Sequence, residues 1–294
     1  MGGKQMRDYI ITTDNTTDLP EAYIQEHGLG MLSLTYMIDG ETYNRKHELH
    51  YKEFYKKMRA GSMPTTSQVN PEEAKEELRE FLDDGKDIIH IAFSSGLSGS
   101  YNSARIAAEE LREEMPDRKI AVIDSLCASL GEGLLVHKAL QLKEQGMEYE
   151  ELVKWLEDHK LNVVHNFTVD DLFHLYRGGR VSKAAAVLGT MIHLKPVLHV
   201  DNEGHLIPVA KVRGRKKSLA ALVENMEKQI GSYRDKNDIV FISHGDCIED
   251  AEYVKSLIEE KFGIKAFLIN PVGPTIGAHS GPGTLALFYM GDVR

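Results

Sequence analysis

DIIHIAFSSGLSGSYNSA, residues 87–104, decides how this chain is to be read. Residues 87–93 are apolar without polar alternation, the pattern of a strand covered on both faces of a sheet. A Ser/Gly turn follows, and a helical pattern begins near Tyr101. Ile106, Ala107, Leu111 and Met115 fall near helical spacing with Glu and Arg between them. A strand, a tight turn and a helix in that order are the unit of a parallel α/β sheet.

Working outward, the same unit recurs. Apolar residues 9–12 run into DNTTDLPEAYIQEHG, whose Asp, Thr and Pro residues suit a strand end and a helix start. Residues 30–37 hold a short strand that ends at Asp39-Gly40, a hairpin signal. Residues 71–82 form an amphipathic helix, 119–124 a short apolar strand, and 129–145 and 149–159 further helices. The pattern changes after about residue 165. Residues 167–176 and 182–192 read as helices, and 195–212 as two strands joined across Asp201-Asn202-Glu203-Gly204. Next come a helix (217–230), a strand (239–243), a helix (250–262) and a strand (266–270). A glycine-rich loop, GPTIGAHSGPG, then leads into a last apolar strand. The expected fold is α/β in two domains. Residues 1–165 form a mainly parallel sheet with flanking helices, and residues 166–294 a mixed α/β unit. No Pro/Ser-rich linker separates them, so they are expected to pack tightly.

Composition narrows the function. The 294 residues are 42% hydrophobic and 27% charged, ordinary for a globular protein. A chain this long buries a full core without disulfide or metal staples. Its two cysteines, Cys127 and Cys247, stand in no metal-binding or redox cluster, which fits a reducing compartment. No apolar stretch approaches a membrane span, and the N-terminus lacks a secretory core. A cytoplasmic location follows as the expectation, with membrane contact no more than transient. A net charge of −10 argues against broad nucleic-acid affinity.

Several turns carry chemistry. The 92–104 turn exposes helix-start N–H groups, and Ser94, Ser95, Ser98 and Ser100 add hydroxyls, a set suited to a carboxylate or phosphate or simply to capping the helix. A nucleophilic Ser95 lacks the upstream glycine of a G-x-S-x-G elbow. MPTTSQVNP (63–71) is a second hydroxyl-rich turn, equally readable as a helix cap. His279 sits at the centre of the glycine-rich loop, where a ligand contact competes with a structural role. Arg177 and Arg180 flank two glycines. Lys211, Arg213, Arg215, Lys216 and Lys217 make a basic cluster in an acidic chain, either an anion-docking surface or a solvated run. The sequence has neither a phosphate loop nor GxGxxG, and no cofactor is expected. His47 and His50, three apart, miss the HExxH spacing.

In order along the chain, TTDNTTDLP, the TTSQ loop, SSGLSGSYNSA, VIDS (122–125), FTVDDLFHLYRGGRVS, LKPVLHV (194–200), KVRGRKK and GPTIGAHSGPG resemble the DegV family pattern over nearly the whole length. Asn15 departs from it, where the family has serine. The resemblance implies a long-chain fatty acid enclosed between the domains. Carried over by motif, its carboxylate contacts fall on Thr66, Ser94 or Ser95, and His279. For some members it also implies presentation of the acid to a separate fatty acid kinase. Arg177, Arg180, Arg213 and Arg215 are then the expected docking residues. The competing readings are a serine hydrolase or acyltransferase using Ser95 and His279, and a nucleic-acid-binding protein using the basic cluster.

Overall fold

The computed structural model describes residues 8–183 and 194–294. Its first sheet has four parallel strands in the order β2-β1-β6-β7: β1 (Tyr9–Asp14), β2 (Gly30–Leu32), β6 (Asp87–Ala92) and β7 (Ile120–Asp124). The unbroken apolar runs follow from cover on both faces. Ile10, Ile88 and Ile120 pack with Leu78 and Leu82 of α3 (Pro71–Asp83) and with Ala107 and Leu111 of α4 (Ser100–Glu114). Ile11, Ile89, Ile91 and Ile123 join a different cluster, built around α5 (Leu130–Glu144).

Burial runs all round the first two turns of α5, from Leu130 to Val136, and continues at Ala139 and Leu140. A helix without a polar face belongs inside the protein, and α5 lies between two sheets. On one side it packs against β1 and β6. On the other it meets β8 (Val163–Thr168), β11 (Val240–His244) and β13 (Leu285–Met290). These belong to a six-stranded mixed sheet in the order β10-β9-β8-β13-β11-β12, with β9 (Leu194–Val200), β10 (Leu206–Arg213) and β12 (Phe267–Pro271). All its neighbours are antiparallel except β11 and β12. Leu222 and Met226 of α8 (Arg215–Gln229), with Val254 and Ile258 of α9 (Ile248–Phe262), pack with Val240, Ile242, Leu285 and Leu287 of this sheet. The strands before residue 125 and those from Val163 onward thus serve different sheets. A single buried cluster nonetheless runs from Ile11 and Ile89 through Leu135 to Phe167 and Phe288.

A small antiparallel sheet, β4-β3-β5, completes the frame: β3 (Thr35–Ile38), β4 (Glu41–Tyr43) and β5 (Thr65–Ser67). Asp39 and Gly40 both take positive φ (53° and 84°), as the tight turn of the β3–β4 hairpin demands. Phe54, Tyr55 and Met58 of α2 (Tyr51–Arg59) pack with Tyr36 and Ile38 of this sheet.

Two expectations need correction. Residues 167–176 are not one helix: Phe167 and Thr168 end β8, paired with β13 and β9, and only Phe173–Arg177 is helical (α7). Those pairings bury Phe167 and Thr168. GPTIGAHSGPG is not all loop, because Pro274–Ser280 forms a short helix, α10, with Pro274 at its first turn and Gly281 closing it at φ 80°. His47 and His50 do not share a helix, since α2 starts at Tyr51 and His50 caps it. No group of metal-ligating side chains occurs among the described residues. Nor is any described helix long and apolar enough to cross a membrane. The helix expected over 182–192 falls almost entirely outside the described residues.

Candidate ligand-binding site

Between the first sheet's turns, α10 and the second sheet lies a slot of about 730 Å³, counted out to its mouth. Its wall is mainly apolar: Leu34, Phe93, Leu97, Phe167, Leu175, Val200, Leu206, Val272, Ile276, Ala286 and Phe288. Among the described lining residues Arg180 is the one permanent cation, and none is acidic.

Its polar groups fall in two sets, Thr275, His279 and Ser280 of α10 with Thr66, Ser98, Arg180 and Thr284, and Ser129, His165 and Ser243 at the start of α5, on β8 and on β11. Thr275, Ile276, His279 and Ser280 all line the slot, and Thr275 and His279 are one helical turn apart. Local packing fixes α10 in place. Gly277 lets it approach α2 closely, since a Cβ there would come within 2.5 Å of the Tyr55 hydroxyl. The same hydroxyl donates to the Val272 carbonyl at 2.9 Å. Thr66, at the centre of β5 and opposite Tyr36, brings its Oγ1 to 2.7 Å from His279 Nε2. Burial, reinforced by Arg180 and Arg177, pushes the His279 imidazole down to about 3, so it is neutral near pH 7. A Thr66 hydroxyl donating to Nε2 fixes the tautomer with its proton on Nδ1. His279 Nδ1, Thr275 Oγ1 and Ser280 Oγ are buried with no hydrogen-bond partner among the described residues. Such groups are costly to leave unpaired. The α10 set offers a polar group of a ligand several hydrogen-bonding partners beside a mainly apolar wall.

The structure sorts the expected site residues. Thr66 and His279 meet directly. Ser94 is buried, but its hydroxyl donates to the Gly204 carbonyl at 2.9 Å. Ser95 is exposed and does not line the slot. The SSGLSGS turn instead contributes Leu97 and Ser98, and Phe93 just before it also lines the slot. Ser95 and His279 are therefore not brought together as a nucleophile and base. Arg177 donates to the Pro64 and Ala278 carbonyls at 2.9 and 3.0 Å, tying the approach to β5 onto α10. Arg180 donates to the Leu97 carbonyl at 2.7 and 3.0 Å. Arg215 bonds Asp250 and the Gly283 carbonyl. Of the four arginines expected to dock a partner, only Arg213 is exposed.

Asn15, the departure from the family pattern, has a plain structural use. Its side-chain amide donates to the Leu34 carbonyl at 3.0 Å and accepts the Leu34 N–H at 2.9 Å, anchoring a wall residue of the slot. Sequence reasoning passed over Thr275, Ser280, Ser129 and Ser243. The one available signal was Gly273-Pro274, a helix-start pair that puts Thr275 and His279 on one face.

Two consequences follow for His279. Gly178 has an ordinary φ of −75°, yet a Cβ there would meet His279 Nδ1 at 2.1 Å. Gly178→Ala is therefore expected to leave α7 helical while displacing the imidazole. Overpacking of this kind costs about 1–3 kcal/mol, and ligand affinity measured by calorimetry should fall about tenfold. The second consequence is pH-dependent. A histidine held below its unfolded value near 6.5 contributes stability above that pH, and this is lost as pH falls toward 3. Between pH 7 and pH 5, wild type should lose about 1–2 kcal/mol more than His279→Ala in urea denaturation.

Comparison with known proteins places this architecture. A family model described as "Uncharacterised protein, DegV family" matches residues 9–292. The chain belongs to the DegV family. A DegV domain-containing protein of Clostridium perfringens is 44% identical over 98% of this chain and 99% of its own length. Among solved DegV structures, one from Thermus thermophilus, described by its fatty acid binding, superposes with a TM-score of 0.86 at 30% identity, over 97% of this chain and all of that one. A stearic acid-binding protein of Eubacterium ventriosum superposes with a TM-score of 0.88 at 25% identity, over 96% and 98% of the two chains. The parallel sheet, the mixed sheet and the slot described above are thus set in a DegV fold whose structural neighbours bind fatty acids.

Proposed function

We propose that this chain binds a long-chain fatty acid in the slot and acts as a carrier, without chemistry of its own. In this reading residues 1–165 and 166–294 are two units that close over the acyl chain. The observation that carries it is the contrast within one cavity. A mainly apolar wall, with no acidic residue among the described ones, also carries Arg180, Thr66, Ser98 and α10, where His279 Nδ1, Thr275 Oγ1 and Ser280 Oγ have no partner among the described residues. A carboxylate offers several lone pairs to such donors, and charge-assisted hydrogen bonds offset its desolvation. The fatty acids bound by the Thermus and Eubacterium proteins support the same ligand class. Delivery of the acid to a separate fatty acid kinase, which the family resemblance implies, draws no support from the placement of Arg177, Arg180 and Arg215.

The test is native mass spectrometry of the purified protein, with a co-purified fatty acid as the expected result. A chain-length series adds a quantitative check. Each buried CH₂ contributes about 0.8 kcal/mol, so shortening a saturated acid by two carbons should weaken binding about 10- to 15-fold. Absence of any bound acid, together with equal affinity for long and short chains, would refute the reading.

A further inference from the structure

Asp18, at the end of the first turn, joins parts of the chain that are distant in sequence. It is buried, in the left-handed conformation with φ 52°. Its Oδ1 accepts the Gly273 N–H at 2.9 Å, its Oδ2 accepts the Ser129 hydroxyl, and its main-chain carbonyl accepts the Asn270 amide at 2.8 Å. Gly273 immediately precedes α10, and a Cβ there would lie 2.8 Å from Asp18 Oδ1. Ser129, just before α5, sits at φ 54° and ψ −143°, a conformation that a non-glycine residue keeps only when its surroundings impose it. Its Oγ is 2.9 Å from Ser243 Oγ of β11, and both serines line the slot. An unbroken hydrogen-bonded chain therefore runs from an enclosed carboxyl to the ligand cavity.

We propose that Asp18 is a proton-linked positioning residue of the slot, clasping the start of α10 and setting the polarity of the Ser129–Ser243 chain that faces the ligand. Ionised, Asp18 accepts from Ser129, Ser129 accepts from Ser243, and Ser243 presents only lone pairs to the slot. With a solvent proton on Oδ2, Asp18 donates to Ser129, Ser129 donates to Ser243, and the Ser243 proton is free to point into the slot. Apart from that proton, only hydroxyl rotations separate the two states, and the Gly273 N–H stays bonded in both. This inference rests on reading the slot as a fatty-acid site. A ligand carboxylate in the same water-poor region disfavours ionised Asp18, so binding draws a proton onto it.

Burial already holds the free Asp18 carboxyl near 7, although the Ser129 and Gly273 hydrogen bonds pull it down. Tyr55 of α2 and Glu48 before α2 act on the Asp18 charge; the elements that carry its serine partners also hold Glu132 (α5) and His244 (β11), and His165, His279 and Arg180 stand on the slot wall. Burial keeps Tyr55 and the three histidines neutral near pH 7 and pushes Glu132 well up. Glu48, raised to about 7 by desolvation, titrates in the same range as Asp18. Glu48→Gln is therefore the control.

The experiment measures stearic acid affinity from pH 5.5 to 8.5 in wild type, Asp18→Asn and Glu48→Gln. Taking the ratio of wild type to Asp18→Asn cancels the titration of the acid and of every group they share. That ratio should fall about tenfold as pH rises from 6 to 8, while Glu48→Gln follows wild type. A ratio independent of pH overturns the proposal. Should Asp18→Asn fail to fold, wild type decides alone. Calorimetry at pH 7.5 in two buffers of different ionisation enthalpy should show proton uptake on binding, and none or a release overturns the inference. If wild type binds no stearic acid at any pH, the reading of the slot itself falls, a result distinct from a flat ratio.

Discussion

His279→Ala is expected to weaken stearic acid binding about 10- to 150-fold, while Ser95→Ala stays within about twofold of wild type. The first figure follows from the loss of a hydrogen bond to a charged group, about 1.5–3 kcal/mol. His279 is held neutral by burial and by two arginines, its Nε2 is occupied by Thr66, and its Nδ1 has no partner among the described residues. The second figure follows from exposure, because the Ser95 side chain is outside the slot. Thr66→Ala should give an intermediate loss, since the imidazole keeps its position on Gly178 but loses the hydroxyl that fixes its tautomer. Calorimetric titration of the three variants checks the ranking. A Ser95→Ala loss as large as that of His279→Ala would move the head-group site to the SSGLSGS turn and revive the hydrolase reading.

Leu135→Ala is expected to destabilise the whole protein by about 2–5 kcal/mol, with no separate transition for either sheet. The magnitude is that of a leucine truncated in a closed core. Leu135 is fully buried in α5, within a cluster that includes Ile89 of the first sheet and Phe288 of the second. A cavity there removes packing that joins the two sheets. Trp155, the single tryptophan, lies on α6 (Tyr149–His159) and packs against this cluster, so its fluorescence is a local probe of it. Urea transitions followed by Trp155 fluorescence and by far-UV circular dichroism should shift together. Divergence of the two would show that the sheets unfold independently.

The strands of the first sheet were legible because both their faces are covered. Ile88 packs on α3 and α4 while Ile89 packs on α5, so apolar residues stand on both faces and the run needs no tertiary information to be read. The Asp39-Gly40 hairpin was equally plain, since few residue pairs tolerate two positive φ angles in succession. Residues 167–176 misled because Phe, Leu, His and Tyr suit a helix as well as a strand. The α10 segment misled for the opposite reason. Its glycines read as loop residues, whereas Gly277 serves the close approach of α2 and Gly281 the helix end.

By itself the sequence determined the alternation of strand and helix, the two kinds of sheet, the family, and His279 and Thr66 as ligand candidates. These depend on local backbone preference and on the order of motifs, both of which are written along the chain. Only the tertiary structure decided which hydroxyls face the slot, that Ser94 bonds Gly204 and Ser95 faces solvent, and that Arg177, Arg180 and Arg215 turn inward. It alone joined Asp18 to Ser129, Ser243 and Gly273 across as many as 255 positions of chain. The direction in which a side chain points is set by packing among segments remote in sequence, and no local pattern encodes that.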